Sequence, residues 1–152
     1  MVQLLFNYRS TIAQLLFNYC SKIAQLNGGL DMYEDTSKLL VWQKSHELVL
    51  KIYEVTKNFP KDEQFGLTSQ IRRAATSIPS NIVEGKARGS SKDYNRFLLI
   101  ARGSLEETKY QLLLAKDLKY INEEMYKEVL NITKEVGRLL NGLMAAIDKT
   151  GK

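Results

Sequence analysis

The sequence predicts an all-α fold: an antiparallel, up-and-down four-helix bundle with a proline-kinked second helix, preceded by a helical or disordered N-terminal extension. Apolar residues recur at spacings of three and four along four long stretches, and no stretch shows the two-residue alternation of a strand. The connections between these stretches are short, so consecutive helices should be antiparallel neighbours. We place the extension at residues 1–35 and the bundle at residues 36–152.

The extension contains a tandem repeat of 11 residues, Gln3–Ala13 and Gln14–Ala24, whose copies differ at two positions. A period of 11 keeps equivalent side chains on nearly one helix face. The segment has no basic residue before Arg9, unlike a signal peptide, and lacks the Lys- and Arg-rich polar face of a membrane-surface helix. The alternatives are docking on the bundle, a partner subunit or a membrane, or an extension foreign to the fold with translation starting at Met32. We favour a dispensable extension.

The first two predicted helices are separated at Pro60. Helix 1 extends over about Ser37–Asn58, with Thr36 or Ser37 as its N-cap. It ends before Pro60, because the residue before a proline is disfavoured in helical conformation. Helix 2 begins near Asp62–Gln64, and Pro79 inside its apolar pattern should kink or restart it. The predicted core positions are Leu39, Trp42, Val49, Ile52 and Phe59 in helix 1, and Leu67, Ile71, Ala74, Ile78 and Ile82 in helix 2.

Glycines at positions 85 and 89 loosen and end helix 2, so helix 3 begins at Ser90 or Ser91. Asn122 is the predicted N-cap of helix 4. The small residues Ala101, Gly103 and Ser104 permit close approach of another helix. The predicted core positions are Leu98, Ala101, Leu105, Thr108, Leu112 and Ala115 in helix 3, and Met125, Val129, Ile132, Val136, Leu139 and Leu143 in helix 4. This heptad-like spacing is typical of bundle packing.

The chain contains one histidine, His46, and one cysteine, Cys20. Structural zinc sites need four nitrogen or sulfur ligands, so one chain provides neither such a site nor a disulfide framework. Any Ser-His-Asp or Cys-His arrangement would have to use His46, which is more simply explained as a packed or surface residue. We therefore expect no enzyme, no metal, no cofactor and no membrane span. A cytoplasmic location is expected, since it fits the lone cysteine.

The net charge of +5 is concentrated in one part of the chain. Between Gln64 and Ser104 there are seven basic and two acidic residues, so the remaining residues hold 15 of each sign. Such a patch attracts nucleic acid or an acidic partner, although Arg stems lying over apolar neighbours are the alternative. The candidate nucleic-acid-binding residues are Arg72, Arg73, Lys86, Arg88, Lys92, Arg96 and Arg102. Of the first two, we expect one to be tied into packing and one to be available.

Helix 2 carries many polar side chains for a helix with an apolar seam. Pro79 lacks a backbone N–H and leaves one carbonyl without its helical partner. We expect nearby polar side chains to satisfy this carbonyl and to tie helix 2 to its neighbours. The candidates for this structural role are Gln70, Ser77, Asn81 and Glu84.

Several ordered runs of residues resemble one known family. They are Leu40–Lys44, Phe59-Pro60, Phe65–Ala75, Ser77–Gly85 and Gly103–Glu107. On these runs the chain, from about Leu39 to Leu143, resembles the bacterial four-helix-bundle proteins, also called the 23S ribosomal RNA intervening-sequence proteins. These are related to the accessory proteins of diversity-generating retroelements. The N-terminal extension has no counterpart in the family pattern.

The resemblance implies a bundle that assembles as a homo-oligomer, in a pentameric ring, without catalytic activity. Some members are encoded within insertions in ribosomal RNA genes, and a related branch binds a reverse transcriptase and nucleic acid. Together with the basic segment, the resemblance predicts a non-catalytic oligomer that binds RNA or other nucleic acid. The alternative function is a protein-interaction scaffold, or an accessory to a reverse transcriptase, without direct nucleic-acid recognition.

Overall fold

The computed structural model describes residues 35–150. Four long α-helices follow one another within this range: α1 (Leu40–Val55), α2 (Leu67–Ala87), α3 (Ser91–Asp117) and α4 (Glu123–Thr150). Two short 3-10 turns, Thr56–Asn58 and Lys61–Gln64, connect α1 to α2. The all-α prediction is confirmed, and the described residues contain no strand. The tandem repeat lies outside the described residues, so its interpretation and the boundary at residue 35 stay predictions.

The four helices form a closed arrangement in which each packs against two others: α1 against α2 and α4, and α3 against α2 and α4. Residue numbers rise along one helix while they fall along its neighbour in the pairs α2–α3 and α3–α4, so these two pairs are antiparallel. The contacts that show this direction are Ser77–Ser104, Gly85–Phe97, Asn95–Asp148 and Leu105–Gly137. Within the described range, no helix is both long and apolar enough to cross a membrane.

Two lysines of α1 hold it against α4. The ammonium group of Lys44 lies 3.5 Å from the carboxylate of Glu135, and that of Lys51 lies 2.9 Å from Glu128. The hydrogen bond to Glu47 raises the pKa of Lys44, and the hydrogen bond to Glu128 raises that of Lys51. Because these pairs are partly exposed, they fix the register of the two helices more than they stabilise the fold.

The starts of α1 and α2 differ from the sequence prediction. Leu39 occupies the N-cap position of α1 and makes no side-chain cap bond, so the prediction of Thr36 or Ser37 as the cap was wrong. Helix α2 starts at Leu67 rather than near Asp62–Gln64. The acidic residues there form a 3-10 turn instead, and Glu63 Oε2 accepts a hydrogen bond from the Leu67 N–H at 2.8 Å. The Glu63 carboxylate therefore accepts a hydrogen bond from a free N–H group of the first turn of α2, although Glu63 lies outside the helix.

Helix α2 continues through Pro79 as one element, so the expected restart does not occur. Among the described residues, the polar side chains near Pro79 do not bond the carbonyl of Ala75, which the proline frees, so the satisfaction of that carbonyl stays a prediction. They bond other carbonyls: Thr76 Oγ1 donates to Arg72, Ser80 Oγ to Thr76 and Asn81 Nδ2 to Ser77, at 2.7–2.8 Å.

The predicted start of α3 at Ser90 or Ser91 and the predicted cap of α4 at Asn122 are confirmed. Ser90 Oγ accepts from the Asp93 N–H at 3.1 Å, and Asn122 Oδ1 accepts from the Met125 N–H at 2.8 Å. Between α2 and α3 the chain passes through Gly89 with φ of 76°, a conformation that glycine adopts without steric cost. A three-residue connection, Arg88 to Ser90, is therefore sufficient to reverse the chain between two helices.

The predicted core is confirmed for α2 and α3, where every predicted position is buried. In α4 the buried face is rotated. Val129 and Val136 are buried as predicted, but they are joined by Thr133 and Leu140, whereas Met125, Ile132, Leu139 and Leu143 are only partly buried. Thr133 tolerates burial because its hydroxyl donates to the Leu130 carbonyl at 2.7 Å.

Candidate nucleic-acid interface

Arg72 and Arg73 are adjacent in α2 and have different surroundings. Arg72 is half-buried: its Nε donates to Thr56 Oγ1 at 2.8 Å, and its guanidinium lies 4.7 Å from the centre of the Tyr53 ring. Arg73 is exposed. Arg72 therefore ties α2 to the end of α1, and of the two it is Arg73 that is accessible to a ligand.

The two basic residues at the end of α2 are engaged within the bundle. Arg88 forms an ion pair with Glu84 and lies over the ring of Phe97, at 5.3 Å from the ring centre. Lys86 is half-buried and interacts with other parts of the chain. The charge of Arg88 is partly neutralised by its carboxylate partner, so these residues are weaker candidates for phosphate binding than the sequence indicates.

Lys92, Arg96 and Arg102 are exposed along the first half of α3. Arg96 and Arg102 have no carboxylate within ion-pair distance among residues 35–150. Lys92 lines a shallow depression of about 310 Å³ together with Asn95 and Asp148. Of the seven predicted residues, these three, Arg73 and Arg88 are exposed, and Arg88 is paired with Glu84.

Arg102 also lines a groove between α3 and α4 that has a volume of about 410 Å³. We call it the α3–α4 groove. Its lining consists of Arg102, Glu106 and Lys109 from α3, and Lys134, Gly137, Arg138 and Asn141 from α4. Glu106 accepts a hydrogen bond from Lys109 at 2.7 Å. The groove therefore contains four cations and one acid, and the acid is already paired with one of the cations.

Sequence reasoning missed Lys134 and Arg138. They lie four residues apart and therefore share one face of α4. That spacing was the signal available in the sequence. It was passed over because acidic and basic residues are equal in number outside Gln64–Ser104, which gives no net charge there. Only the packing of α4 against α3 brings the two residues to Arg102.

The residues predicted to be structurally polar divide into two groups. Ser77 Oγ accepts from Ser104 Oγ and from Asn81 Nδ2, both at 2.9 Å, so Ser77 joins α2 to α3 and Asn81 holds Ser77 from within α2. Gln70 and Glu84 are exposed. Gln70 lines a polar depression of about 310 Å³ between α2 and α3, and Glu84 pairs with Arg88. Because both are exposed on α2, their expected role in tying α2 to its neighbours, within the bundle or at a subunit contact, stays a prediction.

His46 is exposed on α1, and its ring stacks on Trp42 with centroids 5.2 Å apart and planes within 6°. This geometry agrees with the interpretation of His46 as a packed surface residue. Elsewhere, Tyr120 donates to Glu63 Oε1 at 3.1 Å, and burial raises the pKa of its phenol. Neither group lines the α3–α4 groove, where the cations are gathered.

Comparison with known proteins agrees with this architecture. The family model described as 23S rRNA-intervening sequence protein matches residues 37–142. The chain is also similar to a solved structure, a protein of unknown function from the S23 ribosomal protein family of Bacteroides thetaiotaomicron VPI-5482. The two share 32% sequence identity with a TM-score of 0.62, over 69% of this chain and 98% of that one. No functionally curated protein matches. The chain therefore belongs to the 23S rRNA-intervening sequence protein family.

Proposed function

We propose that this protein is a non-catalytic, homo-oligomeric four-helix bundle that binds RNA through its phosphate backbone. The observation that carries the proposal is the set of exposed cations on α3, of which Arg96 and Arg102 have no ion-pair partner among the described residues. When such cations contact the phosphates of a nucleic acid, they release the counterions condensed on it. Added salt opposes this release, so the affinity falls as the salt concentration increases. The described surface offers no arrangement of base-reading side chains, and we expect weak sequence specificity.

We expect the full-length protein to bind a fluorescently labelled single-stranded RNA, with an affinity that decreases steadily with salt concentration. Replacing Lys92 and Arg96 by Gln should reduce the slope of log affinity against log salt by about 1.4, since each contact to a single strand contributes about 0.7. The matched control replaces Lys57 and Lys61, two exposed lysines at the opposite end of the bundle. Fluorescence anisotropy over a salt series measures both slopes.

Absence of RNA binding, or binding that does not change between low and moderate salt, would contradict the proposal. A DNA strand of the same sequence serves as a second probe, because contacts to the phosphate backbone alone discriminate poorly between RNA and DNA. Equal slopes for the Lys92/Arg96 variant and its control would instead remove these two residues from the interface.

We further propose that the outer face of α3 mediates assembly with other copies of the chain. Leu99 is 47% exposed, Ile100 45% and Tyr110 65%. Gly103 lies on the same face, and a Cβ there would have no atom within 4 Å among the described residues. Exposed apolar side chains around an open glycine favour close packing of another helix. The alternative occupant is a different protein, such as a reverse transcriptase.

We expect the purified protein to have the mass of several subunits in light scattering, and a pentamer is the state that the family resemblance implies. Leu99→Asp should shift this mass toward one subunit, because it places a carboxylate in an apolar contact. Leu118→Asp is the control, since Leu118 is 45% exposed but lies beyond the end of α3. A monomeric wild-type protein would contradict homo-oligomeric assembly and favour a different partner.

A further inference from the structure

We propose that the α3–α4 groove is the seat of an RNA phosphate, held by Arg102 from one helix and by Lys134 and Arg138 from the other. This inference rests on the proposed function, because its ligand is the backbone of the bound RNA. It goes beyond that function in assigning the contacts to α4, which contributes nothing to the basic segment recognised in the sequence. It also adds one defined site to the basic surface of α3.

The first argument is that these cations have no ion-pair partner in the described part of the chain. Arg102, Lys134 and Arg138 are exposed and have no carboxylate within ion-pair distance among residues 35–150. Five other lysines of the bundle do have such partners: Lys44, Lys51, Lys109, Lys116 and Lys127. Three uncompensated charges around one cavity repel one another, and an anion in the cavity relieves that repulsion.

The second argument is the shape of the groove. Gly137 lies between Lys134 and Arg138 and provides no side chain to fill the space beneath them. A Cβ at Gly137 would lie 3.4 Å from Cδ2 of the buried Leu105, so α4 approaches α3 closely at this point. The groove, with a volume of about 410 Å³, is thus lined at Gly137 by backbone alone. A ligand can therefore reach the cations from both helices at once.

The third argument is the chemistry of the lining. A guanidinium group presents a planar fork of donors that matches phosphate oxygens, and the groove has one such group on each wall. Lys134 adds a point charge one turn from Arg138. The seven residues of the lining include no apolar side chain, so the groove offers no anchor of the kind that fixes a bound peptide. These features favour a phosphodiester over an acidic protein segment.

The test compares three variants of the full-length protein. The first replaces Arg102, Lys134 and Arg138 by Gln, and the second is Arg102→Lys with Arg138→Lys, which keeps the charge. The control replaces Lys57, Lys61 and Lys119 by Gln, which removes the same charge from the helix connections at one end of the bundle, away from the groove. The probe is a labelled single-stranded RNA oligonucleotide measured by anisotropy over a salt series. Circular dichroism verifies folding, which should persist because all the altered side chains are exposed.

We expect the Gln variant to lose about 2 from the slope of log affinity against log salt, and the control to bind like the wild type. The charge-conserving variant should bind more weakly than the wild type, because lysine cannot make the forked contact. If the Gln variant and the Lys variant both bound RNA with the affinity of the wild type, the proposal would be overturned, although RNA binding by the protein would be established. No binding by the wild type would instead overturn the proposed function. Displacement of RNA by polyglutamate as effectively as by unlabelled RNA would overturn the phosphate assignment.

Discussion

Arg72 and Arg73 follow each other in α2, and a helix places successive side chains about 100° apart. Only one of them can therefore face the neighbouring helix α1. The sequence predicts such a division but does not indicate which residue is buried. The structure shows that Arg72 contacts Thr56 and Tyr53, so its substitution would weaken packing between α1 and α2 rather than remove a ligand contact. Whether the exposed Arg73 binds nucleic acid stays a prediction.

Gly85 has little room for a side chain, because α2 lies close to α3 at this position. A Cβ at this position would lie 2.6 Å from the Cβ of Phe97 and 3.0 Å from the ring of Tyr94, so α2 and α3 would have to separate. We expect Gly85→Ala to lower the free energy of unfolding by about 1–3 kcal/mol, the cost typical of overpacking. Urea denaturation followed by circular dichroism measures this change.

The matched control for this substitution is Gly142→Ala, because a Cβ at Gly142 would have no atom within 4 Å among the described residues. There we expect a gain of about 0.5–1 kcal/mol from helix propensity alone. If the Gly85 variant were as stable as the Gly142 variant, the close approach of α2 and α3 would not limit the residue at position 85.

At the scale of the helices, local signals predicted the second half of the bundle better than the first. Ser90 and Asn122 are caps that act within three residues of themselves, so the sequence contains the whole interaction. The start of α2 is decided by Glu63, which bonds the Leu67 N–H from a preceding 3-10 turn. No periodicity indicates that arrangement, because it depends on how the α1–α2 connection folds back.

Removal of the Ser90 cap tests whether this local interaction stabilises the start of α3. Ser90→Ala should cost about 1 kcal/mol of stability, because the Asp93 N–H loses its acceptor. Ser91→Ala is the natural control, since Ser91 is the first residue of the helix and makes no cap bond. Thermal unfolding of the two variants should separate them by several degrees. Equal midpoints would show that water replaces the hydroxyl without loss.

The rotated seam of α4 has a different cause. Val129 and Val136 were predicted correctly, yet Thr133 and Leu140 replace the neighbouring predicted positions in the core. Spacings of three and four describe several overlapping stripes on a long helix, and polarity alone favours the stripe without threonine. Contact with both α1 and α3 selects the buried stripe, and the hydroxyl of Thr133 is satisfied by its own helix.

At the scale of the molecule, the buried apolar residues that the structure describes form one cluster between Val41 and Leu140. This core is built from all four helices. A core of this kind is sufficient for independent folding, so the N-terminal extension should be dispensable for the stability of the bundle.

We therefore expect a chain that begins at Met32 to retain the helical circular dichroism and the unfolding midpoint of the four-helix unit. It should also keep the salt-dependent RNA affinity of the full chain, because none of the proposed contacts involves residues 1–31. Differential scanning calorimetry and RNA anisotropy on the two chains check both expectations. A lower unfolding midpoint of the chain that begins at Met32 would show that the repeat contributes to folding. A loss of its RNA affinity without a change in midpoint would show that the repeat contributes to binding.

The sequence by itself determined that four amphipathic helices pack into a bundle, and it located the net positive charge between Gln64 and Ser104. It did so because helical periodicity, caps and composition act over a few residues. Only the tertiary structure decided which cations are available and which of them meet. Arg72 and Arg88 were drawn into internal contacts, whereas Lys134 and Arg138 joined Arg102 across two packed helices. Such encounters depend on the crossing of distant segments, which no local spacing encodes.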